Sequence, residues 1–171
     1  GETGAAYDED GQLARTGKVI PELLEQANRL PYLKMAPPKS LGNDWVQKKL
    51  LPLFQNTGWP LADRLHTLCI HVAEQTGASI RQVAELEHLS LGEQQQVLVT
   101  GGGAFNGFLC EQMAKSVQPL QLEMASPEII AYKEAILMGL AGALRWQQQP
   151  NVLPSVTGAS RAAVGGAIHW G

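Results

Sequence analysis

Apolar positions in this chain recur mostly at helical spacing. From Lys18 to Leu30, Ile20, Leu23, Leu24 and Ala27 share one face, with Pro21 near the start and Pro31 ending the run. Asn43 is placed to cap a short helix reaching Leu50 or Leu51, which Pro52 and Asn56-Thr57-Gly58 close. Pro60 opens a long helix with a buried stripe of Leu61, Leu65, Leu68, Cys69, Val72 and Ala73. Its end has two readings: a stop near Gly77 with a fresh start at the Ser79-x-x-Gln82 capping pattern, or continuation through the glycine. A strand follows at 96–100, then a helix from about 105 to 116 and a second strand at 120–124. Ser126 as N-cap and Pro127 as first helical residue open the longest apolar helix, ending near Gln147. Within it, Gly139 and Gly142 leave a groove where another backbone can pack. Residues 1–17 read as loop, and the tail from Asn151 to Gly171 as loop with one short strand near 164–169.

This pattern predicts a helix-rich α/β chain in which parallel strands near 96–100 and 120–124, joined in the βαβ manner, are packed by long helices. Residues 1–171 are expected to form a single domain. Two parallel strands are too few for a stable sheet. Either a further strand lies in the tail or the chain completes a larger domain, and the second reading is favoured.

Composition narrows the function. The 171 residues are 44% apolar and 17% charged, enough for a real core. Net charge is −3 and Lys48-Lys49 is the only adjacent basic pair, which argues against nucleic acid as a partner. The apolar run from Ala135 to Leu144, flanked by Lys133, Glu134 and Arg145, is too short to cross a membrane. The N-terminus is neither basic nor apolar, and Cys69 and Cys110 stand singly in apolar helical patterns. Together these predict a cytoplasmic protein with reduced thiols.

The chemistry concentrates at Val97-Leu98-Val99-Thr100-Gly101-Gly102-Gly103, followed by Ala104-Phe105-Asn106 at the mouth of a helix. Consecutive glycines let a backbone approach a ligand closely, and a helix N-terminus offers N–H groups to phosphate or a polar nucleotide edge. The alternative is a tight strand-to-helix turn without a ligand. A P-loop is excluded, since no Gly-Lys-Ser/Thr follows the glycines. A dinucleotide-binding (NAD-type) domain is a rival, because Gly101-x-Gly103-x-x-Asn106 approaches its fingerprint and Glu123 ends the next strand. His66 and His71 are five apart, roughly 140° around a helix, and do not form a chelating pair. Asp8, Asp10 and Gly11 share the opening spacing of a calcium loop, but Val19 stands where its last carboxylate belongs. Glu134 lies inside the long apolar helix; it reads equally as a surface carboxylate or as one directed into a cleft.

Five segments occur in order: Tyr7-Asp8-x-x-Gly11-x-x-Ala14-x-x-Gly17, Pro37-Pro38-Lys39-Ser40-x-Gly42, Thr100 to Asn106, Lys133-Glu134-Ala135 and Ser155-Val156-Thr157-Gly158-Ala159-Ser160-Arg161. Together they resemble the C-terminal portion of the anhydro-N-acetylmuramic acid kinase family, over about Tyr7 to Gly171. The resemblance implies part of an RNase H-like domain of the actin/hexokinase type, in a kinase that uses ATP and Mg²⁺. It implies opening of the 1,6-anhydro bridge with water and phosphorylation of O6, giving N-acetylmuramic acid 6-phosphate in cell-wall recycling. Gly101, Gly102, Gly103 and Asn106 would contact the nucleotide, Glu134 would face the sugar and the attacking water, and the Thr157-Gly158 loop would pack near the cleft.

The departures matter as much. The family's phosphate-binding hairpin and its Asp-Thr-Gly-Pro-Gly-Asn segment do not occur in this sequence, so the residue expected to act as general base is missing here. Ala131 stands where an acid is expected ahead of Lys133-Glu134-Ala135. A fragment inactive by itself is therefore expected, partnered by a second copy or by a complementary N-terminal half. A non-catalytic interaction module is the other reading.

Overall fold

Residues 12–16, expected as loop, form a short helix (α1, Gln12–Thr16). Asp8 makes it possible: its two carboxylate oxygens accept the Leu13 and Ala14 N–H groups, each at 2.9 Å, supplying partners the first turn lacks. The carboxylate reaches that far because the chain turns through Asp10 and Gly11 at φ of 55° and 68°. The computed structural model describes residue 4 and residues 7–36, 39–55 and 57–169. Pro37 and Pro38 of the proline loop, Asn56 of the expected turn and Gly171 of the tail lie outside the described residues.

Pro21–Asn28 forms α2, shorter at both ends than the run that predicts it. Asn43–Trp45 (α3), a widened turn at Val46–Leu50 and Leu51–Phe54 (α4) follow one another, carrying the expected short helix on to Phe54. The long helix α5 spans Leu61–Leu86 and passes straight through Gly77, which settles the choice between stop and continuation. Gly77 is needed by the neighbour: a Cβ there would meet the Ser116 backbone carbonyl, so the glycine admits a close helix crossing. The strands are Gln96–Val99 (β1) and Gln121–Met124 (β2), parallel, with Val97 opposite Leu122 and Leu98 opposite Glu123. Between them, Gly107–Ser116 forms α6, two residues later than expected because Gly102–Phe105 closes as a 3₁₀ turn.

Two clusters hold these elements. Ile20, Leu23, Ala27, Leu50 and Phe54 join α2 and α4, with Leu68 of α5 packed against them. Ala14, Cys69 and Phe108 join α1, α5 and α6. Small residues make the second cluster tight: Ala14 is buried and Gly17 lies against the Ala62 backbone. The segment Gly11-x-x-Ala14-x-x-Gly17 is therefore a close-packing pattern. The link between α1 and α2 is sewn to α5 by Ile20 N–H to Thr67 Oγ1 and Lys18 N–H to Asp63 Oδ1, both 2.9 Å.

The chain divides into two compact units, Gly1–Ala125 and Ser126–Gly171. The second contains Pro127–Trp146 (α7) and the turn Pro154–Thr157 (α8). Ser126 caps α7 through Ile129 N–H, as its position predicts. No described residue of α7 is buried, and Ile136, Leu137, Met138 and Leu140 are all more than half exposed. The strand expected near 164–169 does not form; one antiparallel bridge joins Val152 to Ala163. Two things prevent it: Gly166 takes a φ of 95°, and the Gly165 N–H is held by Asn151 Oδ1 at 2.6 Å.

Candidate functional site

In the first unit a cavity of about 880 Å³ opens beside the glycine turn. This is within the range of small-molecule sites. Gly102, Gly103, Phe105 and Asn106 form one side, Leu65, Leu68, Cys69 and Val72 of α5 another, and Tyr7 to Asp10 the rim, with Ala14 and Leu109 completing it. The walls are mostly apolar and the rim is acidic.

The turn uses its glycines unequally. Gly101 requires the left-handed side, with φ of 89°. A Cβ on Gly102 would meet nothing within 4 Å, and one on Gly103 only Leu109, at 3.7 Å. Gly102 and Gly103 are exposed cavity wall whose bareness is not required for folding. Asn106 caps α6: its Oδ1 accepts Leu109 N–H at 2.9 Å. With the oxygen committed, the carboxamide NH₂ is the group left for a ligand.

The expectation of open N–H groups at the start of α6 is corrected here. The Gly107 N–H donates to Asp10 Oδ1 at 2.9 Å, so a carboxylate of the chain already occupies the place where phosphate would be drawn. Asp8 and Asp10 also line this cavity, and sequence patterning singles them out only for calcium-loop spacing. Both carboxylates point to backbone N–H groups. An Asx residue just ahead of a helix-spaced Leu13-Ala14 was the available clue for Asp8. Asp10 has none, since its partner lies 97 residues away.

Around the cavity, burial pushes the Cys69 thiol up to about 11, with Asp8 adding to the effect. Burial, then Asp10, raises Cys110. Both thiols therefore stay protonated at neutral pH. Arg15 clasps Glu111 with two hydrogen bonds, of 2.6 and 2.7 Å, and its guanidinium lies over the Phe108 ring. Those bonds hold the Glu111 carboxyl below its usual range.

Other predicted residues have local roles or stand elsewhere. Lys39 donates to the Leu33 and Met35 carbonyls and sits over Tyr32. Thr157 donates to Leu153 and accepts from Ala159 N–H, closing its own turn. Glu134 belongs to the second unit, exposed on α7. Among the described residues no three His, Cys, Asp or Glu side chains gather as a metal site, so no ligand set for Mg²⁺ is assigned. None of the described helices is long and apolar enough to cross a membrane.

The sequence model of the anhydro-N-acetylmuramic acid kinase family matches residues 1–171. A kinase of that name from Vibrio parahaemolyticus is 32% identical over 174 residues, covering 98% of this chain and 44% of the relative. One from Gloeobacter violaceus is 32% identical, covering 97% and 43%. One from Bacillus anthracis is 29% identical, covering 96% and 44%. The chain therefore spans less than half the length of these curated relatives.

Proposed function

The chain belongs to the anhydro-N-acetylmuramic acid kinase family, and from that premise we propose that its first unit carries the nucleoside side of an ATP site. The observation that carries this reading is Asn106: its oxygen caps α6, its NH₂ remains free to donate, and it stands with bare Gly102 and Gly103 on an apolar cavity. An apolar wall with one fixed donor suits a nucleobase and ribose. The phosphates point away from the acidic rim, whose carboxylates repel them.

The reaction proposed for the whole enzyme is that of the family. Water adds to C1 as the C1–O6 bond breaks, O6 takes the γ-phosphoryl group of ATP, and a base receives the water proton. Glu134 helps position that water and faces the sugar. The architecture is part of an RNase H-like domain whose further strands extend the β1–β2 pair; its two-stranded sheet and uncovered α7 both support that reading. A dinucleotide reading is weakened by Asp10, which stands where the pyrophosphate would sit.

Calorimetric titration of adenosine and ATP into the intact natural polypeptide that carries this sequence tests the site. Asn106→Asp keeps a capping oxygen and replaces the donor, so nucleoside affinity should fall by about tenfold with the melting temperature unchanged. Gly102→Val should do the same by filling the cavity where a Cβ meets nothing of the protein. Wild-type affinity in both variants would remove the assignment.

A further inference from the structure

Asp10 is built into the glycine turn from a distant part of the chain, and its contacts are reciprocal. Its Oδ1 accepts the Gly107 N–H, and it stands where a side chain at 107 would begin. The next residue, Gly11, has no room for a Cβ, which would meet the Asn106 carboxamide oxygen and lie 2.7 Å from Phe108 Cβ. Each segment thus has a glycine where the other places a side chain. Asp10 holds this position at φ of 55°, a conformation that L side chains adopt rarely and aspartate more readily than most.

We infer that Asp10 is a positioning residue for the nucleoside, a role that rests on the nucleotide reading of the cavity. The latch has two consequences. It fixes the Asn106–Gly107 peptide, so the Asn106 oxygen stays on Leu109 N–H and its NH₂ stays the donor on the cavity lip. It also fills the first N–H of α6 with negative charge, so a ligand enters with its uncharged end here and its phosphates turned away.

Two substitutions in the intact natural polypeptide separate this role from a structural one. Asp10→Gly suits the positive φ and removes only the carboxylate, so the ligand-free melting temperature should shift little. Adenosine affinity should nonetheless fall about tenfold. The ratio of ATP to adenosine affinity should rise at least about threefold, because the freed Gly107 N–H donates to a phosphate oxygen. Asp10→Asn keeps an oxygen acceptor and should hold adenosine within about threefold of the wild type.

Adenosine binding by Asp10→Gly equal to wild type overturns the latch, as does an Asp10→Asn variant no better than Asp10→Gly. An Asp10→Gly chain that fails to fold also overturns it, by making Asp10 structural. A wild-type polypeptide that binds neither adenosine nor ATP overturns the nucleotide reading itself and the latch with it. The failure of the latch alone is thereby distinguished from the failure of the site.

Discussion

His71 shows how a residue's neighbours decide its chemistry. It is buried on α5, and its Nδ1–H donates to Asn28 Oδ1 at 2.7 Å. That oxygen also accepts from Gln75, while the Asn28 NH₂ donates to Glu74. Burial lowers the ring's affinity for a proton, against a smaller opposing pull from Glu74. The sign follows directly: at pH above the unfolded value of 6.5 the ring is neutral in both states and imposes no penalty. As pH falls below it, the unfolded chain takes up a proton that the folded one resists, and stability drops until the depressed folded value is reached. Urea unfolding across this range should show wild type losing stability on acidification and His71→Asn losing less. Equal slopes would mean that another group controls the acid limb. Sequence spacing was enough to set aside His66 and His71 as a chelating pair, because helix geometry alone decides that. It could not show that Asn28 waits 43 residues away.

At the level of elements, the long helices were legible because a repeating apolar stripe is a strong local signal. The capping of α7 by Ser126 followed from adjacent residues, whereas the capping of α6 by Asn106 emerged only with the helix start at Gly107. The helix α1 was missed because its five residues carry too short a pattern, and its existence depends on the carboxylate of Asp8. Asp8→Ala removes both acceptors and leaves two N–H groups of the first turn unsatisfied. It should destabilise the first unit by about 1–3 kcal/mol, measured by denaturant unfolding. Thermal loss should come with weakened nucleoside binding, since α1 lines the cavity through Ala14. A change within about 0.5 kcal/mol would show that α1 is held by packing alone.

For the whole molecule, the uncovered apolar surface of α7 and the short parallel sheet fit a chain that spans less than half of its relatives. Phosphoryl transfer depends on positioning and electrostatic stabilisation from both sides of a cleft. The 171 residues alone are therefore expected to bind nucleoside without turning over the anhydro sugar. In a polypeptide with the family's full length, Glu134→Gln should lower kcat by about a hundredfold and leave nucleotide affinity unchanged. Release of ADP in the presence of the anhydro sugar reads both outcomes. Turnover by the short chain would place the general base within these residues, and wild-type kcat in the variant would remove Glu134 from the chemistry.

The sequence by itself determined the long helices, the two strands, the glycine turn and the family, because each is written in neighbouring residues or in the order of motifs. Tertiary structure alone decided how the turn is used. The close approach of Ser116 to Gly77 and the filling of the first N–H of α6 by Asp10, 97 residues from its partner, belong to the tertiary structure. Such contacts follow from which small residues let two backbones meet, and no local pattern records the distant side chain that fills the space a glycine leaves.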